Sequence, residues 1–260
     1  MIPLGRGDFP TTREELNAAL RVGLAVFESP RASVEIIGEF PALDRIAIDL
    51  SGGKLPLTPP HGGAVSAPFT ANELQLFANP LRYEQAGIAV ELRAQTVSLG
   101  FQRDENNQSL LAITGAREGN ATFAIQRREL ETLILAIASQ AARAQGVSIE
   151  RVDLKVQSTS QRSASFSCDV TAQKLFMKTV VTLSGAIEID PALVARVSGL
   201  RCDGAGMIGG LACGFLRPYL ARFEGQTVPL ASFALGELRV VDVTLETGEE
   251  LRVTAHFGAT

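Results

Sequence analysis

One stretch of the chain keeps a single alternating pattern of apolar and polar residues for unusually long. Between Met177 and Ile189 the apolar side chains stay in one phase for thirteen residues, which makes a strand of about 40 Å at about 3.3 Å per residue. This is roughly twice the length of an ordinary strand. A strand that long with one apolar face needs a long partner, and the sequence supplies two apolar helices, predicted over 126–144 and 207–224.

Shorter segments with the same alternation predict further strands. Around 46–50 and 251–257, apolar residues alternate with charged or small polar ones, as in antiparallel strands with one face in water. In three other segments the phase changes midway, at 94–97, 149–152 and 240–241. A change of phase by one residue is typical of a β-bulge, and bulges increase twist. We therefore expect a strongly curved sheet.

Two capping boxes predict helix starts in the first third of the chain. Thr12 and Glu15 have the spacing of a box and precede apolar residues at helical intervals, which predicts a helix over 12–28. Thr70 and Glu73 have the same spacing and predict a second, short helix.

The two later helices are more apolar. The helix over 126–144 has a wide apolar stripe and ends before Gly146. The helix over 207–224 contains Pro218, which is expected to kink it. Both helices are expected to pack within the fold.

The composition is that of an apolar, weakly charged chain. Of its 260 residues 46% are hydrophobic and 20% are charged, and the formal net charge is -4. Such a chain folds rather than staying disordered, and it offers no basic surface for nucleic acid. The Pro- and Gly-rich stretch over 52–68 predicts a surface loop, and the piece before it is too small to fold alone. We therefore expect a single domain over 1–260.

The sequence also bears on location. No apolar run reaches the ~18 residues that span a bilayer, and the first residues lack the basic and then apolar order of an export signal. As given, the chain is expected to be cytoplasmic or peripheral to a membrane. If a signal has been removed, the periplasm or cell envelope is the alternative.

Residues for catalysis or metal binding are scarce. His61 lies in the loop and His256 on the polar phase of the last strand, and no nucleophile elbow, phosphate loop or zinc-protease motif occurs. Cys168, Cys202 and Cys213 have no Cys-x-x-Cys spacing, which excludes a zinc ribbon or a dithiol motif. Cys202 could bridge Cys213 or Cys168, but we favour plain buried thiols. We expect no catalytic residue, no metal and no cofactor.

A glycine motif precedes the last helix. Gly204, Gly206 and Gly209 have the Gly-x-Gly-x-x-Gly spacing of dinucleotide-binding loops. The flanking segments are amphipathic and hairpin-like, whereas a nucleotide-binding unit needs a buried strand before the loop. We therefore interpret the motif as a flexible entry to the helix, with a ridge of Gly206, Gly210 and Gly214 that allows another backbone to approach closely.

The order of the predicted elements is distinctive. It comprises a short helix from Thr70, strands to Ile125, the helix over 126–145, strands over 147–157, 163–171 and 175–189, the helix over 207–224, Val228-Pro229-Leu230, and a hairpin from Leu238 to Phe257. This order, together with the segment Val34–Ile46, resembles the LmeA-type bacterial phospholipid-binding proteins, whose fold is similar to the tubular lipid-binding (TULIP) superfamily. The resemblance covers most of the chain.

The resemblance implies an α+β fold in which a highly curved antiparallel sheet wraps around long helices and encloses an apolar groove for acyl chains. It implies no catalytic residues. We expect a non-enzymatic protein that binds or transfers a lipid, a phospholipid or another hydrophobic ligand, a role compatible with peripheral membrane contact. The alternative is a structural or protein-interaction domain without a ligand cavity, whose sheet edge recruits a partner.

The apolar stripes of the two long helices and the long strands supply the candidate residues for such a groove. These are Leu130, Ile134, Ile137, Phe166, Leu183, Ile208, Leu211, Phe215 and Tyr219.

Overall fold

Extended strands make up most of the described chain. In the computed structural model, the described residues are 1–55, 63–143, 146–174, 177–230 and 239–258. They form thirteen strands and three α-helices. Most of the strand pairs are antiparallel. The α+β class predicted from the sequence is confirmed.

The chain divides into two compact units. The first unit contains one helix and six strands: β1 (Ile2–Gly5), α1 (Arg13–Leu24), β2 (Ser33–Glu39), β3 (Ala42–Asp49), β4 (Ser66–Tyr83), β5 (Ala86–Arg103) and β6 (Ser109–Gln126), whose last two residues belong to the second unit. A 3₁₀ turn, Ala25–Phe27, follows α1.

The second unit contains two helices and five strands. They are α2 (Arg127–Arg143), β7 (Ser148–Ser160), β8 (Ser163–Lys174), β9 (Met177–Ile189), β10 (Val194–Gly204), α3 (Gly206–Phe223) and β11 (Thr227–Pro229). The last strands, β12 (Val240–Glu246) and β13 (Glu250–Gly258), have residues in both units.

The strands form two sheets. The larger sheet has eight strands, in the order β12-β13-β6-β5-β4-β3-β2 with β1 paired to β6, and the smaller has five, in the order β11-β10-β9-β8-β7. Within the larger sheet β3 and β4 run parallel. The prediction of one domain over 1–260 stays a prediction, because compactness alone does not show that the units fold separately.

The first predicted helix is confirmed. The hydroxyl oxygen of Thr12 accepts the backbone N–H of Glu15 at 3.2 Å, which caps the first turn of α1. The apolar stripe of α1 is buried at Leu16, Leu20 and Leu24. The helix and its 3₁₀ turn together cover nearly all of the predicted span.

The short helix predicted from Thr70 is wrong. Residues 66–83 form the extended strand β4, which pairs with β5 on one side and with β3 on the other. Phe69, Ala71 and Leu74 are buried along it. A capping box acts only on the first turn, whereas pairing on both sides satisfies the whole backbone, so the tertiary context overrides the local signal.

One of the predicted bulges is confirmed. In β7 the register with β8 shifts between Ile149 and Arg151, as expected from the change of apolar phase. In β5 the buried phase changes between Ala94 and Val97, where Thr96 adopts a left-handed φ of 50°, but the register with β4 continues through this segment.

The loop predicted over 52–68 is shorter in the structure than predicted. β4 already begins at Ser66, and Lys54 makes an isolated bridge to Arg82. Residues 56–62, and with them His61, lie outside the described residues. No helix in the described parts of the chain is both long and apolar enough to span a bilayer.

Candidate ligand-binding site

The five-stranded sheet of the second unit has one apolar face. Cys168 in β8 lies directly opposite Leu154 in β7 and Leu183 in β9. Two positions earlier, Phe166 lies opposite Val156 in the same way. Because directly opposite residues project from the same side of a sheet, these apolar side chains form one continuous surface.

The other face of this sheet is polar. It carries the alternating serines of β8 and the carboxylate of Asp169, which accepts the hydroxyl of Thr182 at 2.6 Å. Arg151 and Asp153 form an ion pair on the same strand, with 2.6 Å between guanidinium nitrogen and carboxylate oxygen. The alternation read from the sequence therefore separates an apolar face from a face in water.

Helix α2 packs on the apolar face above β7. Its residues Leu130, Ile134 and Leu135 contact a small cluster of three buried residues, Val152, Leu154 and Cys168. Leu183 packs against the same cluster. The helix therefore covers the outer part of the sheet.

Helix α3 packs on the same face above β10. Cys202 and Cys213 form a disulfide with a Cα–Cα distance of 5.4 Å. Cys202 lies directly opposite Leu183, so this disulfide and the α2 cluster are on one side of the sheet. The middle strands β8 and β9 lie between the strand under α2 and the strand under α3.

The disulfide corrects the preference for three plain thiols. Cys202 and Cys213 are bridged, and Cys168 alone is a free buried thiol. A Cys202–Cys213 bridge was one of the alternatives that the sequence left open. A separation of eleven residues does not by itself show whether the end of a strand and a turn of a helix face each other. Burial, followed by the charges of Asp169 and Glu131, raises the pKa of the Cys168 thiol, so it is a poor nucleophile.

The glycine motif is a packing device. A Cβ on Gly204 would lie 2.5 Å from the backbone of Gly209, so the end of β10 and the first turns of α3 touch backbone to backbone. The predicted ridge of Gly206, Gly210 and Gly214 does not make this contact, because a Cβ on any of these three residues would meet no atom within 4 Å. The close approach uses the first and last glycines of the motif instead of the helical row.

The structure brings three of the nine predicted site residues together. Leu130, Ile134 and Leu183 all pack against the α2 cluster. Phe166 is partly buried on the same face of the sheet, whereas Ile137 is exposed.

The residues predicted on α3 are placed differently. Leu211 and Tyr219 are exposed, because the disulfide and the glycine contact turn the side of Gly209 and Cys213 towards the sheet. The side chains of Ile208 and Phe215 lie outside the described residues. The lining role of all nine residues stays a prediction.

Three clefts in the described residues have other linings. An open cleft of about 710 Å³ is lined by polar groups that include Arg127, Lys155, Ser158 and Glu249. A smaller space of about 10 Å³ lies next to it, beside Leu130. In the first unit, a cleft of about 420 Å³ contains Glu73, Arg93 and His256. None of the three lies between α2 and β9.

The described residues contain no group of three or more His, Cys, Asp or Glu side chains that could hold a metal ion. His256 is exposed in its cleft. The arrangement that remains is a sheet face of apolar side chains with a helix above β7 and another above β10, which can bury an apolar ligand.

Neither protein-family models, nor curated proteins, nor solved structures give a match to this chain.

Proposed function

We propose that the chain is a non-enzymatic lipid-binding protein that shields acyl chains on the apolar face of the five-stranded sheet. The observation that carries the proposal is that α2 and α3 cover the β7 and β10 parts of this face, while the middle strands, which also have buried residues such as Cys168 and Val181, keep some apolar side chains accessible. Phe166 in β8 and Ile187 in β9 are examples. A curved, TULIP-like arrangement of sheet and helices belongs to this proposal.

The packing of the second unit supports a ligand role. Its cluster of buried residues consists of Val152, Leu154 and Cys168, and the apolar residues around them keep part of their surface accessible. Each CH₂ group of an acyl chain buried on such a surface contributes about 0.8 kcal/mol. An acyl chain would therefore complete a core that the protein itself leaves thin.

The disulfide supports a location in an oxidising compartment. Bridges such as Cys202–Cys213 persist in the periplasm or outside the cell and are rare in a reducing cytosol. This favours the cell envelope among the locations considered above.

Mass spectrometry of extracted ligand tests the proposal. The full chain is purified from a lipid-rich bacterial host and extracted with organic solvent, and we expect a copurified lipid. A stripped sample is then titrated with a fluorescent fatty acid. Absence of lipid in the extract together with absence of binding in the titration would refute the proposal.

A pair of substitutions on β9 tests the face. Ile187 is 37% exposed on the apolar face and Val180 is 45% exposed on the polar face. We expect Ile187→Glu to weaken fatty-acid binding by about tenfold or more, because it places a charge against the acyl chain, and Val180→Glu to bind as the parent does. Equal binding by both variants would show that the acyl chain lies elsewhere.

The second candidate function is a protein-interaction domain. It is favoured by the packing of Leu130 and Ile134 into the α2 cluster, because side chains that already contact the sheet are less available to a ligand. A negative titration, combined with a crystal structure without a continuous apolar cavity along α2, would select this function.

A further inference from the structure

The outer side of α3 presents large apolar side chains to solvent. Met207 is 81% exposed and Leu211 70%. Large apolar side chains scattered singly are ordinary on protein surfaces, but these lie on one helix. Met207 and Leu211 are four residues apart and therefore share a face.

This orientation is fixed by the packing beneath the helix. Gly209 touches the backbone of Gly204, and Cys213 is bonded to Cys202. At about 100° per residue, Leu211 lies on the opposite side of the helix from both Gly209 and Cys213. The helix cannot turn its apolar residues towards the sheet without breaking the disulfide and separating the two backbones.

The charged side chains of α3 are both positive. They are Arg217 and Arg222, and at about 100° per residue Arg222 projects from the same side of the helix as Leu211. The arginines of β10 do not belong to this surface. Arg196 and Arg201 lie opposite Glu188 and Ser184 and therefore project from the polar face of the sheet, away from α3.

Glu224 is held away from the helix face. Its two carboxylate oxygens accept the backbone N–H groups of Gly199 and Leu200, at 2.9 and 2.7 Å. These bonds tie the acidic group to the bulge in β10. The helix itself is left with arginines as its charged side chains.

We propose that the outer face of α3 is a docking surface for a lipid bilayer with anionic headgroups. The helix lies in the plane of the interface, Met207 and Leu211 enter the boundary between headgroups and acyl chains, and Arg217 and Arg222 contact the phosphates. This surface is separate from the apolar sheet face, so the inference goes beyond the proposed function and does not depend on it. The combination of apolar and cationic side chains on one helix favours a bilayer over a protein groove.

Flotation with vesicles tests the docking surface. The full chain is mixed with phosphatidylcholine vesicles that contain 30% phosphatidylglycerol, and separately with pure phosphatidylcholine vesicles. We expect binding to the anionic vesicles, weaker binding to the neutral ones, and a loss of the difference at high salt. We expect the double variant Met207→Ser/Leu211→Ser to bind the anionic vesicles more weakly than the parent, by about tenfold at least.

The matched control lies on the other unit. Val22 and Val26 are more than half exposed near the end of α1, and Val22→Ser/Val26→Ser is expected to bind as the parent does. Far-UV circular dichroism of both double variants checks the fold. A third variant, Arg217→Gln/Arg222→Gln, is expected to lose the preference for anionic vesicles and to keep the remaining binding to neutral ones.

Three results would overturn the docking surface. The first is that the parent does not float with anionic vesicles, and the second is that the Met207/Leu211 variant floats as well as the parent. The third is that the parent is a dimer in sedimentation equilibrium and the Met207/Leu211 variant is a monomer, which would assign the face to a second copy of the chain. The fatty-acid titration is separate, so failure of flotation with retained fatty-acid binding rejects this inference alone.

Discussion

The backbone N–H of Leu154 donates a hydrogen bond of 2.9 Å to the carboxylate of Glu131. Leu154 lies in β7, the outer strand of the five-stranded sheet, and Glu131 projects from α2. An outer strand offers unpaired backbone groups to other chains. The glutamate therefore has two effects, because it fixes α2 to the strand beneath it and occupies a donor at the sheet edge.

Replacement of Glu131 tests this link. We expect Glu131→Ala to lower the free energy of unfolding by about 1 kcal/mol, because the Leu154 N–H loses its acceptor. Glu131→Gln keeps an acceptor oxygen and should lose less. Urea unfolding followed by far-UV circular dichroism measures both, and equal stability of Glu131→Ala and the parent would contradict the assignment.

The close contact of Gly204 and Gly209 gives a second test. A Cβ on Gly209 would lie 2.5 Å from the carbonyl carbon of Gly204, so Gly209→Ala must push β10 and α3 apart. We expect a loss of about 2 kcal/mol or more, as for overpacked sites. Gly210→Ala is the matched control, because its Cβ meets no atom within 4 Å and should raise stability by up to about 1 kcal/mol through helix propensity. Urea midpoints of the two variants should move in opposite directions.

Removal of the disulfide tests its contribution to the second unit. Closing a loop of this size stabilises a protein by about 3 kcal/mol in the chain-entropy description. We expect Cys202→Ser/Cys213→Ser to lose about that amount in urea unfolding. Dithiothreitol should destabilise the parent and leave the double variant unchanged, and equal sensitivity of the two proteins to the reductant would show that the bridge does not form.

The buried thiol makes stability depend on pH. Because burial raises the pKa of Cys168 in the folded chain, the unfolded chain loses this proton at a lower pH, near 8.5. The contribution of the thiol to stability is therefore complete below about pH 8.5 and declines as the pH rises towards the folded-state pKa. Iodoacetamide labelling at pH 8 should be slow in the native protein and fast in urea. Rapid labelling of the native protein would contradict the burial.

The elements that the sequence predicts well are those with their own apolar period. The stripe of α2 and the change of phase at Ile149 follow from the pattern alone, because each reflects burial on one side of an element. The segment from Thr70 fails because its capping box is a signal of one turn, and the strands on both sides of β4 decide its conformation.

The side of α3 that faces the sheet could not be predicted from the apolar pattern, for a different reason. An apolar stripe indicates the buried side only when hydrophobic burial sets the orientation. Here the bond from Cys213 and the contact of Gly209 set it, so Leu211 faces outward although its spacing is that of a core residue. Of the candidate site residues, Leu130, Ile134 and Leu183 pack against the buried cluster under α2. Ile137 on α2 and the described candidates on α3, Leu211 and Tyr219, are exposed.

The two tyrosines of the chain can report whether the units unfold together. The chain contains two tyrosines and no tryptophan, and Tyr83 lies in the first unit while Tyr219 lies in the second. The variants Tyr219→Phe and Tyr83→Phe therefore each leave one fluorescent reporter. β12 and β13 each have residues in both units, so unfolding of one unit disrupts two strands that the other unit also uses. We therefore expect the two urea transitions to coincide. The parent, followed by circular dichroism, supplies the reference curve. Two separate midpoints, one for each tyrosine, would show two domains and contradict the single domain expected from the sequence.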